Sequence, residues 1–166
     1  MSNPRPSRRQ LLQTAAVGAV TLTGFAKAVA QQPPSKPRPP ALPIDLVKDF
    51  VIAGHIDLAK VKSMLESEPR LLNACMDWGG GDFETALEGA GHMGNREIAL
   101  YLIGQGARQN IFQAAMLGDL ETVRSMISAH PQLANSKGPH GIPLKAHARA
   151  GKEGAAAVLT YLESLG

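Results

Sequence analysis

One pattern returns four times along this chain and constrains its fold more than any other feature: a short apolar run at helical spacing, a glycine, and a second such run. Val47, Phe50 and Val51 precede Gly54, and Leu58, Val61, Met64 and Leu65 follow it. Leu87, Ala90 and Gly91 precede Gly94, then come Ile98, Ala99, Leu102 and Ile103. Ile111, Ala114 and Ala115 lead to Gly118 and then to Leu120, Val123, Met126 and Ile127. Leu144 and Ala148 lead to Gly151 and then to Val158, Tyr161, Leu162 and Leu165. Residues three and four apart share one face of a helix, and a glycine tolerates the left-handed conformation that stops one. Each copy therefore predicts two antiparallel helices joined by a tight turn, with Gly54, Gly94, Gly118 and Gly151 as the turn glycines. Such a pair cannot bury its own apolar face, so neighbouring pairs must stack. The fold class expected is all-α, a solenoid of about four helix-turn-helix units, with local contacts and rapid folding.

Composition agrees with a stack of small side chains. Only 4% of the 166 residues are aromatic, so the core must be aliphatic. The length suits one domain or a short repeat array. The single Cys excludes an internal disulfide, and no paired-Cys zinc pattern exists. The formal net charge of +3 misleads. Residues 1–30 hold Arg5, Arg8, Arg9 and Lys27 and no acid; without those four, thirteen basic residues face fourteen acidic ones. No basic patch for nucleic acid is expected in the folded part.

Residues 1–30 have the layout of a cleavable export signal. Arg8-Arg9 is followed by a mildly apolar stretch from Gln13 to Phe25 and by Ala28-Val29-Ala30, the small-residue arrangement that signal peptidase accepts. The apolar run is about a dozen residues, short of the roughly 20 that span a bilayer. No Cys follows it to carry a lipid. The arginine pair, with Leu11 and Leu12 close behind, resembles the twin-arginine signal, which implies export of an already folded protein to the periplasm or beyond. Cleavage is expected after Ala30, leaving no stable membrane anchor. Residues 31–43 contain six prolines and are expected to be an extended linker. The repeat domain then runs over 44–166, with units near 44–83, 84–110, 111–141 and 142–166.

The stretch Thr85-Ala86-Leu87-Glu88 through Gly104-Gln105-Gly106-Ala107 resembles the ankyrin repeat nearly throughout. Ile142-Pro143-Leu144 restates the opening of that repeat, and Gly118-Asp119-Leu120-Glu121 restates its turn. The spacing of the turn glycines departs from a steady 33 residues, and two connecting loops are unusually long. The chain is more closely similar to small bacterial ankyrin-repeat proteins carrying the loop Asp77-Trp78-Gly79-Gly80-Gly81-Asp82 and the segment Gly138 to Leu144. The resemblance implies a solenoid with loop fingers and a concave face that binds another protein.

On that basis the contact residues expected are Asp77, Trp78, Asp82 and Phe83 in the first finger and His140 in the second, with Glu88, His92, Lys145 and Arg149 on first helices. Trp78 and Phe83 either anchor a partner or pack down and hold their loop. The three glycines lack the Gly-Lys-Ser/Thr that a phosphate loop requires. Cys75 has no His or basic neighbour to activate it and is expected to be a small buried hydrophobe. His147 is expected to pack between helices and bond a backbone group, and Asn73 and Asn135 to brace turns. The function expected is a non-catalytic protein-protein interaction module, monomeric apart from an unidentified protein partner, with no catalytic residue, metal or cofactor. The alternative is a small metal-dependent or hydrolytic periplasmic protein. It would use His92, His140, Asp77 and Asp82 if the two fingers lean together.

Overall fold

The structure, a computed structural model, describes residues 38–166. The signal residues Arg8, Arg9, Ala28 and Ala30 and linker residues 31–37 lie outside the described residues. Residues Ala41–Gly166 form one compact unit. It contains eight α-helices among the described residues: α1 (Ile44–Ile56), α2 (Leu58–Ser67), α3 (Ala86–Met93), α4 (Arg96–Gly104), α5 (Ile111–Leu117), α6 (Leu120–Ala129), α7 (Leu144–Ala150) and α8 (Ala156–Ser164). Consecutive helices pack as pairs, and the first helices pack in succession, α1 on α3, α3 on α5 and α5 on α7. The unit is therefore mostly helical, as the periodicity requires.

Polar residues fix where the helices begin. Asp57, Asn95 and Asp119 accept hydrogen bonds from the first-turn amides of α2, α4 and α6, satisfying donors that a helix start leaves unpaired. Thr85 with Glu88, and Asn110 with Gln113, form reciprocal capping boxes on α3 and α5. At the other ends, Gly94 (φ 70°) and Gly118 (φ 82°) adopt the left-handed conformation. A Cβ at either would strike backbone at the far end of the chain, Ala150 at the end of α7 for Gly94 and Gly154 just before α8 for Gly118. Gly54 and Gly151 differ from expectation: neither has positive φ, and Gly54 lies inside α1. Their lack of a side chain serves close approach instead, to Ala86 and to Met116.

Apart from Phe50, the buried hydrophobic core is aliphatic. Phe50, Val51, Leu71, Leu87, Ile98, Leu102 and Met116 are buried in the first half, and Ile111, Val123, Ile127, Leu144, Val158 and Leu162 in the second. Leu165, expected on the apolar face of the last helix, is exposed because α8 ends at Ser164. Between α2 and α3 the chain forms a hairpin of two three-residue strands, β1 (Cys75–Asp77) and β2 (Phe83–Thr85). They pair antiparallel with Met76 opposite Glu84. The hairpin tip is turned by Gly79, Gly80 and Gly81, all with positive φ. A second finger precedes α7, closed by an antiparallel bridge between Lys137 and Pro143 and by Gly138 N–H donating to the Ile142 carbonyl at 2.9 Å. Cys75, expected to be buried, is exposed on β1, where the short strand leaves it outside the core.

Candidate metal centre

Side chains alternate across a strand. Thr85 must face outward to cap α3, which turns Glu84 the other way, into the protein, where it is fully buried. Around its carboxylate stand three imidazoles from three different parts of the chain. His92, in the last turn of α3, lies two helical turns beyond Glu84 and returns its Nε2 to Glu84 Oε1 at 2.8 Å. His55, near the end of α1, brings Nε2 to 3.4 Å from the same oxygen. His140, in the second finger, brings Nε2 to 3.3 Å from Oε2, and the Trp78 indole N–H donates to Oε2 at 2.9 Å. One donor atom from each of His55, Glu84, His92 and His140 can be chosen so that all lie within 4.8 Å of one another.

The outer nitrogens of two imidazoles are tied. His55 Nδ1 lies 2.9 Å from the Val51 carbonyl oxygen, which only accepts, so Nδ1 carries the hydrogen and Nε2 is the nitrogen free to ligate. His140 Nδ1 lies 2.7 Å from the Asp82 carboxylate, which fixes the same tautomer. The Asp82 carboxylate also accepts the His140 backbone N–H at 2.8 Å, so it joins the two fingers. Orientation of a ligating histidine by a carbonyl or carboxylate on its second nitrogen is the usual support for a metal-bound imidazole. His140 itself sits at φ 59°, a conformation that costs a non-glycine residue on the order of 1 kcal/mol. Space for His55 is provided by Gly89: a Cβ there would come within 2.8 Å of its ring.

The electrostatics of the cluster favour an ionised centre. Burial pushes the Glu84 carboxyl up, but hydrogen bonds from His55, His92 and Trp78 overcome it and hold the group far below the usual carboxylate range. The His55 pKa is raised, chiefly by its bond to Glu84, against the opposing effect of burial. Asp82 is lowered, first by the His140 backbone N–H and also by its ring. A divalent cation seated between Glu84 and the three Nε2 atoms would pair with that ionised carboxylate. Zinc–nitrogen bonds run to about 2.0–2.1 Å; here the His55 and His92 Nε2 atoms lie 3.4 and 2.8 Å from Oε1 and the His140 Nε2 3.3 Å from Oε2, with the four donors within 4.8 Å of one another. Three imidazole nitrogens with one carboxylate and no thiolate suit Zn²⁺, Cu²⁺, Ni²⁺, Co²⁺ or Fe²⁺.

Among the residues expected from the sequence, His92, His140 and Asp82 come together, with Asp82 behind His140 rather than among the inner donors. Asp77 does not join them. Its carboxylate accepts the Gly79 N–H at 2.8 Å and shapes the hairpin tip. Trp78 is half-buried, held by its bond to Glu84, whereas Phe83 is exposed. Glu88 completes the α3 capping box and accepts from Asn110 Nδ2 at 3.0 Å. Lys145 donates to the Gly166 carbonyl at 3.0 Å, and Arg149 to Glu163 at 3.3 Å. The Cys75 thiol is pushed up by partial burial and by Glu88, so it is no activated nucleophile. His147 is buried between helices with Nδ1 at 3.1 Å from the Pro143 carbonyl, and Asn73 accepts the Arg108 N–H at 2.9 Å. His55 and Glu84 escaped sequence reasoning. The signal for Glu84 was its place directly before a capping Thr; for His55, its place beside Gly54 at a helix end. Comparison with family models, curated proteins and solved structures finds no match for this chain.

Proposed function

We propose that this chain is an exported, ankyrin-type helical protein whose task is to hold one divalent transition-metal ion between His55, Glu84, His92 and His140. The observation that carries the reading is the convergence of three imidazole Nε2 atoms on one buried carboxylate. The repeat reading rests on the fourfold helix–glycine–helix pattern and the succession of packed first helices. The export reading rests on Arg8-Arg9 and the Ala28-Val29-Ala30 site, and makes the periplasm the place of action. Folded export lets the ion be chosen in the cytoplasm. No catalytic step is assigned to the cluster.

The test is titration of the untagged, chelator-treated full chain with Zn²⁺ by calorimetry, with metal analysis after dialysis. One ion per chain is expected, and both His92→Ala and Glu84→Gln should reduce affinity at least roughly a hundredfold. Binding that is absent, or indifferent to both changes, would sink the reading.

A second reading, recognition of an unidentified protein, is favoured by one observation. Phe83 is exposed at the rim of a groove between the two fingers, lined also by Asp82, Glu88, Phe112 and Lys137. An exposed aromatic in such a place suits an interface anchor. Phe83→Ser should then abolish capture of a periplasmic partner without changing Zn²⁺ affinity.

A further inference from the structure

The four inner groups differ steadily in exposure. The side chain of Glu84 is 0% exposed, His92 8%, His55 20% and His140 36%. An ion among them is therefore closed on the Glu84 and His92 side and open toward the His55–His140 edge. That edge is one wall of a pocket of about 370 Å³, whose other walls are Ile52, Ile56, Trp78 and Met93. The volume falls at the lower end of the range typical of small-molecule sites, about 300–1,000 Å³. Three of the seven large apolar residues left exposed among the described residues, Ile52, Ile56 and Met93, are gathered here. Isolated exposed apolar residues need no explanation, whereas a group around a concave polar spot marks a ligand site. The charge at the floor is also set: a divalent ion with three neutral imidazoles and Glu84 leaves one positive charge in the inner shell, which attracts an oxygen anion.

We infer that the ion at this centre takes as ligand a small organic acid, its carboxylate adding a fifth donor to the protein's four and its apolar body lying against Ile52, Ile56, Trp78 and Met93. The inference rests on the proposed ion site and names what that site receives. The geometry asks for two properties in one molecule: a compact anionic head that reaches between His55 and His140, and a hydrocarbon tail. Acetate has only the head; octanoate has both.

The experiment uses the untagged full chain loaded with Co²⁺, whose visible bands respond to a change of inner-shell ligand. Octanoate and acetate are titrated separately. Octanoate is expected to change the bands at a concentration roughly tenfold or more below acetate, because part of its tail leaves water. The double change Ile56→Ser with Met93→Ser alters two exposed side chains outside the donor set. It should leave Co²⁺ affinity unchanged and bring the two acids within roughly twofold of each other. Equal effects of octanoate and acetate on the unaltered chain would overturn the inference while the ion site stands. A preference for octanoate that survives the double change would overturn the assignment to this pocket. Absence of Co²⁺ bands dependent on His55 and His140 would remove the ion site and the ligand together.

Discussion

Glu84 is a buried carboxylate with partners on both oxygens, and this determines what its neighbours can do. A buried anion is tolerated only when paired and hydrogen-bonded, and here one indole N–H and three imidazoles meet it. Asp82 works one step further out. It holds His140 by backbone and ring without belonging to the inner donors. Asp82→Ala should therefore lower Zn²⁺ affinity by about 10–100-fold, measured by calorimetry, with little change in helix content. Gly89 gives a sharper separation. Ala is normally favoured over Gly within a helix by about 0.5–1 kcal/mol, yet a Cβ at 89 presses on the His55 ring. Gly89→Ala should keep the fold by circular dichroism and lose ion affinity, although residue 89 contributes no donor atom. His147 adds a pH dependence of its own. Burial lowers its pKa, so the folded state keeps the ring neutral while the unfolded chain takes up a proton near the ordinary value of about 6.5. Its contribution to stability is present above that pH and is lost as pH falls below it. His55, whose pKa is raised, acts in the opposite direction, so the contribution of His147 is read from the difference between the unaltered chain and His147→Ala: their urea midpoints should draw together between pH 7 and 5.

At the scale of elements, the turn and cap residues account for most of what could be read before any coordinates. Thr85 with Glu88 announces a helix start by chemistry that operates over three residues. The apolar runs around Gly94 and Gly118 correspond to α3 with α4 and α5 with α6. What could not be read was long-range. The approach of His140 to Asp82 crosses 58 positions, and no local pattern encodes how two fingers lean. Glu84 was passed over for a related reason: a three-residue strand is too short for alternation to stand out. Gly151 does stand at the turn that ends α7, whereas Gly54 lies inside α1; both have ordinary backbone. Sequence alone does not distinguish a glycine needed for φ from one needed for room. The distinction can be measured. Gly118→Ala combines positive φ with contact on the Gly154 backbone and should cost about 2 kcal/mol or more. Gly80→Ala, at positive φ in open space, should cost about 1 kcal/mol. Denaturant unfolding of the two variants tests the difference.

For the whole molecule, the proposed ion site ties together three parts of the chain that are far apart in sequence, adding to the direct packing of α1 on α3 and of α3 on α7. α1, the β1–β2 hairpin with α3, and the finger before α7 each supply a donor, while α5 and α6 supply none. An ion bound there resists separation of the first, second and fourth helix pairs. At a free concentration 100 times the dissociation constant, binding to the folded state alone adds about 2.7 kcal/mol. For a domain of this size that raises the melting temperature by roughly 10 °C. Thermal unfolding with and without Zn²⁺ checks it, and His140→Ala should remove most of the rise.

His140 comes late in the chain, and this gives the centre a sense of time. As a polypeptide leaves the ribosome, His55, Glu84 and His92 are present long before the finger at Pro139–Gly141 exists. A partly made chain has three of the donors and lacks the strained fourth that closes the set. On the proposed reading, tight capture of the ion becomes a certificate of completed synthesis, issued once the finger before α7 has docked.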